Sequence, residues 1–234
     1  GLAYEFKNGL TPYVSAATFF NPVIGANNAF GDGKTFKAET GYQYEAGVKY
    51  RPTFMDALVT ASVFDITKQN VQTPDPANAF NQLQLGEVTS TGFEIEGKAN
   101  VTENLKVLAS YTVYDLETTK DTRAAYVGKT PIVVPETLAS FWIDYTFDTG
   151  ILDGWSAGVG VRYQGRSWVD YENTLKVPDA TLVDAALRYE QDTWGIALNV
   201  TNLFDEAYVK SCQGYSGCGY GEPRTITIAP HVKW

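Results

Sequence analysis

Apolar and polar side chains alternate along almost every ordered stretch of this chain, and helical periodicity is nearly absent. In residues 41–50 the even positions are Tyr42, Tyr44, Ala46, Val48 and Tyr50. The odd positions are Gln43, Glu45, Gly47 and Lys49. Phe93, Ile95 and Ala99 oppose Glu94, Glu96 and Lys98, and Leu105, Val107, Ala109, Tyr111 and Val113 oppose Lys106, Ser110 and Thr112. Further along, Trp155, Ala157, Val159, Val161 and Tyr163 oppose Ser156, Gly158, Gly160 and Arg162. Trp194, Ile196, Leu198 and Val200 oppose Gly195, Ala197 and Asn199. A period of two puts successive side chains on opposite sides of a strand, so each strand has one apolar and one polar face.

The apolar faces carry aromatics at their ends. Trp155 and Tyr163 bracket Ala157, Val159 and Val161, and Tyr189 closes the face of Val183, Ala185 and Leu187. The core of a sandwich has no reason to place amphipathic rings at strand ends. A bilayer has one, because Tyr and Trp favour the headgroup level. The opposite faces are small or polar, which suits a wet or plugged lumen. Connections alternate in length. Short ones fall near 7–12, 51–56, 100–105, 148–155 and 190–194; long ones fall near 21–40, 69–84, 118–135, 169–178 and 208–222. That alternation is the mark of an antiparallel outer-membrane barrel, with short periplasmic turns and long extracellular loops. The fold class predicted is all-β, a transmembrane antiparallel β-barrel segment of about 11 strands, with no second domain. An odd count does not close a barrel neatly. With no export signal visible, the residues read as the C-terminal part of a longer chain.

No apolar run is long enough for a transmembrane helix. The formal net charge of -9 gives none of the basic footprint that nucleic acid requires. The only cysteines, Cys212 and Cys218, sit in a Gly/Ser/Tyr loop, and the chain has a single histidine, His231. A metal site needs more ligands than these, so a local disulfide in an oxidising compartment is favoured over two free thiols. No G-x-S-x-G is present, and His231 lies near the end of the last strand, so hydrolytic chemistry has no support. The GDGK at 31–34 lacks the spacing of a phosphate loop, and the DPAN at 75–78 lacks the ligand density of a calcium loop. No resident metal or cofactor is expected. The last strand sets Ile226, Ile228, Val232 and Trp234 on one face. A terminal aromatic after such alternation looks like the signal read by the bacterial barrel assembly machinery.

The run 197–212, with NLFD at 202–205, Tyr208, the cysteine pair and YGEPR at 220–224, resembles the end of TonB-dependent outer-membrane receptors. The stretches 8–22, 36–50, 61–76 and 86–105 are similar to the same family in the same order, so the resemblance covers essentially residues 1–234. The cysteine pair and the wording of 67–76 look most like the ferric-siderophore branch, near ferrichrome and ferrioxamine (hydroxamate) receptors. The resemblance implies a barrel of about 22 strands with an N-terminal plug, of which this chain is the C-terminal half. It implies uptake of a ferric siderophore across the outer membrane of a Gram-negative bacterium. Energy would come from TonB through a plug and box that this chain does not contain. Outer-membrane lipid and lipopolysaccharide would surround it. The alternatives are a passive porin-like or structural barrel, or a receptor for cobalamin, a carbohydrate or haem.

A ferric hydroxamate complex is compact and nearly neutral, so a concave aromatic cup with a few donors would hold it. The candidates are Tyr215, Tyr220, Trp168, Tyr171, Tyr126, Phe36 and Phe80, with Phe19 and Phe20 at an outer strand end. Related receptors use an aromatic inside the disulfide-closed loop. Gln213 follows the first cysteine here, which leaves Tyr215 as the substitute. Asn202 to Asp205 read as the upper part of a strand rather than as ligand contacts.

Overall fold

The computed structural model describes residues 1–25, 33–215 and 217–233. In chain order the strands are β1 (Leu2–Ala3), β2 (Leu10–Asn21), β3 (Glu39–Tyr50), β4 (Asp56–Asp75), β5 (Asn78–Asn100), β6 (Leu105–Lys120), β7 (Thr137–Thr146) and β8 (Trp155–Gln164). Then follow β9 (Ser167–Trp168), β10 (Lys176–Val177), β11 (Ala180–Glu190), β12 (Trp194–Thr201), β13 (Val209–Cys212), β14 (Cys218–Tyr220) and β15 (Thr225–Val232). One 11-stranded antiparallel sheet runs β1-β2-β3-β4-β5-β6-β7-β8-β11-β12-β15. The hairpins β9–β10 and β13–β14 lie within the connections β8–β11 and β12–β15. The expected strand number and meander are therefore present, and β1 and β15 are the sheet's two edges.

Register shows why the alternation matters. Val14, Ala46, Val63, Phe93 and Val113 are successive cross-strand partners, and so are Ile143, Val159, Ala185, Val200 and Ile226. One sheet face is thus apolar from edge to edge, and none of the described residues covers it: Val63 is 54% and Ile228 63% exposed. An apolar face of this extent needs a non-aqueous solvent. Rings border it at the short-turn rim. Trp155 and Tyr189 have centroids 4.9 Å apart, Tyr189 and Trp194 5.6 Å, and Tyr145 and Phe147 5.0 Å. Tyr42 and Tyr44 pair at 5.6 Å toward the other rim. These are the two aromatic belts of a membrane barrel wall.

One expectation changes. Residues 69–84 are strand rather than loop, because β4 and β5 continue outward to a two-residue turn at 76–77. Threonine, valine, leucine and glutamine in this stretch keep cross-strand pairs, and register shifts between Gln69 and Val71, Val71 and Thr73, and Pro74 and Asp75 absorb its irregularity. The call of Trp234 as an assembly signal lies outside the described residues.

Candidate functional site

The long connections form an interlinked cap above the sheet. Cys212 and Cys218 are disulfide-bonded and are cross-strand partners in the β13–β14 hairpin. Cys212 is buried with Val169 and Val177, against Val209, in the apolar cluster that the described residues form. The disulfide hairpin therefore rests on the β9–β10 hairpin. Gly214 N donates to Val169 O at 2.9 Å, and the Tyr215 and Thr174 hydroxyls are 2.7 Å apart. Asp170 organises the turn between β9 and β10. Its carboxylate accepts from Thr174 N at 3.0 Å, Leu175 N at 3.0 Å and Thr174 Oγ1 at 3.0 Å. Burial raises the Asp170 pKa, but these bonds to the charged form outweigh it and leave the carboxyl below its ordinary value.

The same hairpin reaches the β6–β7 connection. Asn173 Oδ1 accepts from Thr130 N at 2.8 Å, and Asn173 Nδ2 donates to Thr130 O at 2.9 Å. Tyr171 stacks on Tyr126 at 5.1 Å, and Arg123 lies over Tyr126 while donating to its hydroxyl at 2.6 Å. Trp168 carries Lys176 at 4.4 Å above its ring, and Lys176 pairs with Glu136 at 2.5 Å. Of the predicted ring candidates, Trp168, Tyr171, Tyr126 and Tyr215 thus share one linked unit. Tyr220 lies on the disulfide hairpin opposite Val209 and is 79% exposed. Phe36 and Phe80 lie elsewhere, on the β2–β3 connection and the outer end of β5. Gln84 ties those two segments by accepting from Lys37 N and donating to Lys37 O, both at 2.7 Å. Glu87 joins β4, β5 and β6 by accepting from Lys120 at 2.9 Å, Gln69 at 2.9 Å and Thr119 at 3.1 Å; the Lys120 bond leads the causes that lower its pKa.

Sequence reasoning missed a corner below the last loop. Asn202 is buried and has φ 53, a left-handed conformation that asparagine tolerates. Its backbone N–H donates to Asp184 at 2.9 Å. Its side chain donates to Glu206 O and Glu222 O and accepts from Glu206 N. Asp205 accepts from Arg224 N at 2.8 Å. The NLFD and GEPR stretches therefore pin both ends of the last loop to the sheet, so Asn202 is a corner residue and not simply a strand end. Tyr208 lies on Gly221, where a Cβ would come within 1.9 Å of its ring.

On the polar face, which lines the concave side of a closing wall, rings also lie on glycines. The cross-strand pairs Tyr13–Gly47, Phe19–Gly41, Phe64–Gly92 and Trp142–Gly160 each have the ring where a Cβ would stand, at 2.8, 2.3, 2.5 and 2.3 Å. The absent side chain lets each ring lie flat on the wall. A lone glycine in a strand pattern signals such close approach, but its partner is known only from register.

A family profile described as TonB dependent receptor-like, beta-barrel, matches residues 1–203. The chain is 42% identical to the ferrichrome outer membrane transporter/phage receptor of Escherichia coli K12, over all of this chain and 31% of that protein. It is 33% identical to the ferrioxamine B receptor of Salmonella typhimurium, over all of this chain and 33% of that one. The siderophore receptor PiuA of Acinetobacter baumannii superposes with a TM-score of 0.79 at 26% identity, covering 97% of this chain and 34% of its own. The chain therefore spans about a third of the length of these relatives.

Proposed function

Because the chain belongs to the TonB-dependent receptor β-barrel family, whose place is the Gram-negative outer membrane, we propose that it is the C-terminal part of a receptor that binds a ferric siderophore and imports it. Within residues 1–234 the strands are wall, and the cap of β9–β10, β13–β14 and the β6–β7 connection is part of the binding mouth. The observation that carries this reading is the linked aromatic cap: Trp168, Tyr171, Tyr126 and Tyr215 are held together before any ligand arrives. Rings fixed in advance lower the ordering cost of binding. Tyr220, Phe36 and Phe80 complete the candidate set. The ligand class is a compact ferric hydroxamate, as the names of the ferrichrome and ferrioxamine relatives suggest. TonB, acting through a plug elsewhere in the full protein, would drive uptake. The barrel assembly machinery, lipid and lipopolysaccharide are its further partners, and no cofactor resides in this segment.

The test is binding and uptake by the full-length protein with a panel of radioiron chelates. A ferric trihydroxamate should bind to cells and enter only while the proton gradient is maintained. Preference for a catecholate, or entry without the gradient, would replace this reading. The double change Cys212→Ser with Cys218→Ser should leave barrel assembly intact and weaken binding, since closing so short a loop contributes only about 2 kcal/mol. Normal binding by that variant would remove the cap from the mouth.

A further inference from the structure

Two tyrosine hydroxyls of the cap are bonded in ways that leave opposite chemistry to a ligand. Tyr215 is the first. Its backbone is seated on the β9–β10 hairpin: Gly214 N donates to Val169 O at 2.9 Å, and Gln213 N donates to Gly217 O at 2.7 Å. Its hydroxyl lies 2.7 Å from Thr174 Oγ1, a contact in which either oxygen could supply the hydrogen. Asp170 decides which. Its carboxylate is buried and accepts from Thr174 N, Leu175 N and Thr174 Oγ1, each at 3.0 Å. An ionised carboxylate only accepts, and a threonine hydroxyl has one hydrogen. Thr174 gives that hydrogen to Asp170, so it accepts from Tyr215. The Tyr215 O–H is therefore committed inside the cap, and its oxygen keeps only lone pairs for anything else that reaches it.

Tyr126 is bonded the other way. Arg123 Nη1 donates to its hydroxyl at 2.6 Å, and a guanidinium has no acceptor to offer in return. The Tyr126 oxygen serves as the acceptor, and its own hydrogen remains to be donated. Tyr126 stacks on Tyr171, beside Asp170, and Asn173 ties the same turn to Thr130 through two bonds, at 2.8 and 2.9 Å. Both hydroxyls thus belong to one held unit. Their polarities follow from bonds made within the cap and do not depend on what surrounds it.

We infer that Tyr215 is a specificity-determining acceptor for an N–H group in the frame of the ferric chelate, with Thr174 and Asp170 as the residues that position it; this rests on the siderophore binding proposed above. A hydroxamate bound to iron has lost its O–H, so the donors of such a chelate lie in the frame that links its hydroxamates. A frame of secondary amides brings an N–H for Tyr215 and a C=O for Tyr126. A frame of esters keeps the C=O and loses the N–H. An ester oxygen set against the Tyr215 oxygen leaves two acceptors with no hydrogen between them.

The test measures equilibrium binding of two radioiron chelates to the full-length receptor. One is a linear ferric trihydroxamate linked by secondary amides, and the other is its counterpart with ester linkages in their place. The parent should bind the amide chelate about tenfold more tightly. Tyr215→Phe should shrink that ratio to about twofold or less. Thr174→Val lets Tyr215 turn its hydrogen to an ester oxygen and should shrink the ratio to about threefold or less. Thr174→Ser should restore the parent ratio, since a serine hydroxyl can bridge Asp170 and Tyr215 in the same way. Asn173→Gly opens the clasp on Thr130, suits the left-handed backbone there (φ 59) and leaves the Asp170–Thr174–Tyr215 chain in place. It should weaken both chelates alike and keep the ratio. A parent ratio near one, an unchanged ratio in Tyr215→Phe or Thr174→Val, no recovery in Thr174→Ser, or collapse of the ratio in Asn173→Gly overturns the assignment. A parent receptor that binds neither chelate removes siderophore binding itself, which is a separate outcome.

Discussion

The β2–β6 and β7–β15 sectors share an outward face and differ on the inward one. Outward, both show aliphatic rows between aromatic ends, because the same solvent meets them. Inward, β7–β15 binds its charges to one another, Arg162 to Asp184 and Arg188 to Asp144, across the trough that Gly158 and Gly160 leave in β8, whereas Glu94, Glu96, Lys98 and Lys106 of β2–β6 make no ion pair among the described residues. Lipid imposes one chemistry on every strand. The lumen allows each sector its own, since water and whatever occupies the lumen tolerate both.

The largest effect should come from the face that the sectors share. Arginine at Phe93 or at Leu187 should each cost about 2–4 kcal/mol, measured by unfolding of the full-length protein in lipid vesicles. Arginine at Glu94, one residue from Phe93, should cost far less. If only one of the two outward sites resists arginine, the outward faces are not equivalent.

A smaller effect should separate the inward faces. Asp144→Ala leaves Arg188 without its partner and should cost about 2 kcal/mol by the same measurement. Glu94→Ala removes a charge that has no ion partner among the described residues and should stay within about 0.5 kcal/mol of the parent. Equal losses would erase the distinction between matched and unmatched walls.

The smallest contrast compares glycines. Gly158→Ala must move Trp142 or Asp144 and should cost about 1 kcal/mol. Gly97, on the outward face of β5, has no atom closer than 3.6 Å to an added Cβ. Gly97→Ala should be neutral or stabilising by about 0.5 kcal/mol. Trp142 fluorescence should shift in the first variant and not in the second; no shift in either would mean that the ring does not depend on the trough.

Much of the fold was legible in the sequence for a local reason. A period of two, rings at strand ends and alternating loop lengths are each contained within a few neighbouring residues, and they led to a membrane wall of eleven strands. The outer part of β4 and β5 was less legible, because proline and asparagine at 74–78 carry loop chemistry although the flanking residues still pair. The candidate rings could be named from their types and positions, but not their company. Tyr126 meets Tyr171, and Tyr215 meets Thr174, only because separate connections fold onto one buried Cys212 cluster.

The sequence by itself determined which face of each strand meets lipid, since that face depends only on each residue's parity and polarity. Tertiary structure alone decided what the other face does. Whether Asp144 is matched depends on Arg188, two strands away in the sheet, and on a glycine between them on β8. Whether Asn202 is an ordinary strand end or a corner depends on Asp184, Glu206 and Glu222. Such partners are set by register and by the return path of the loops, and no local period encodes either.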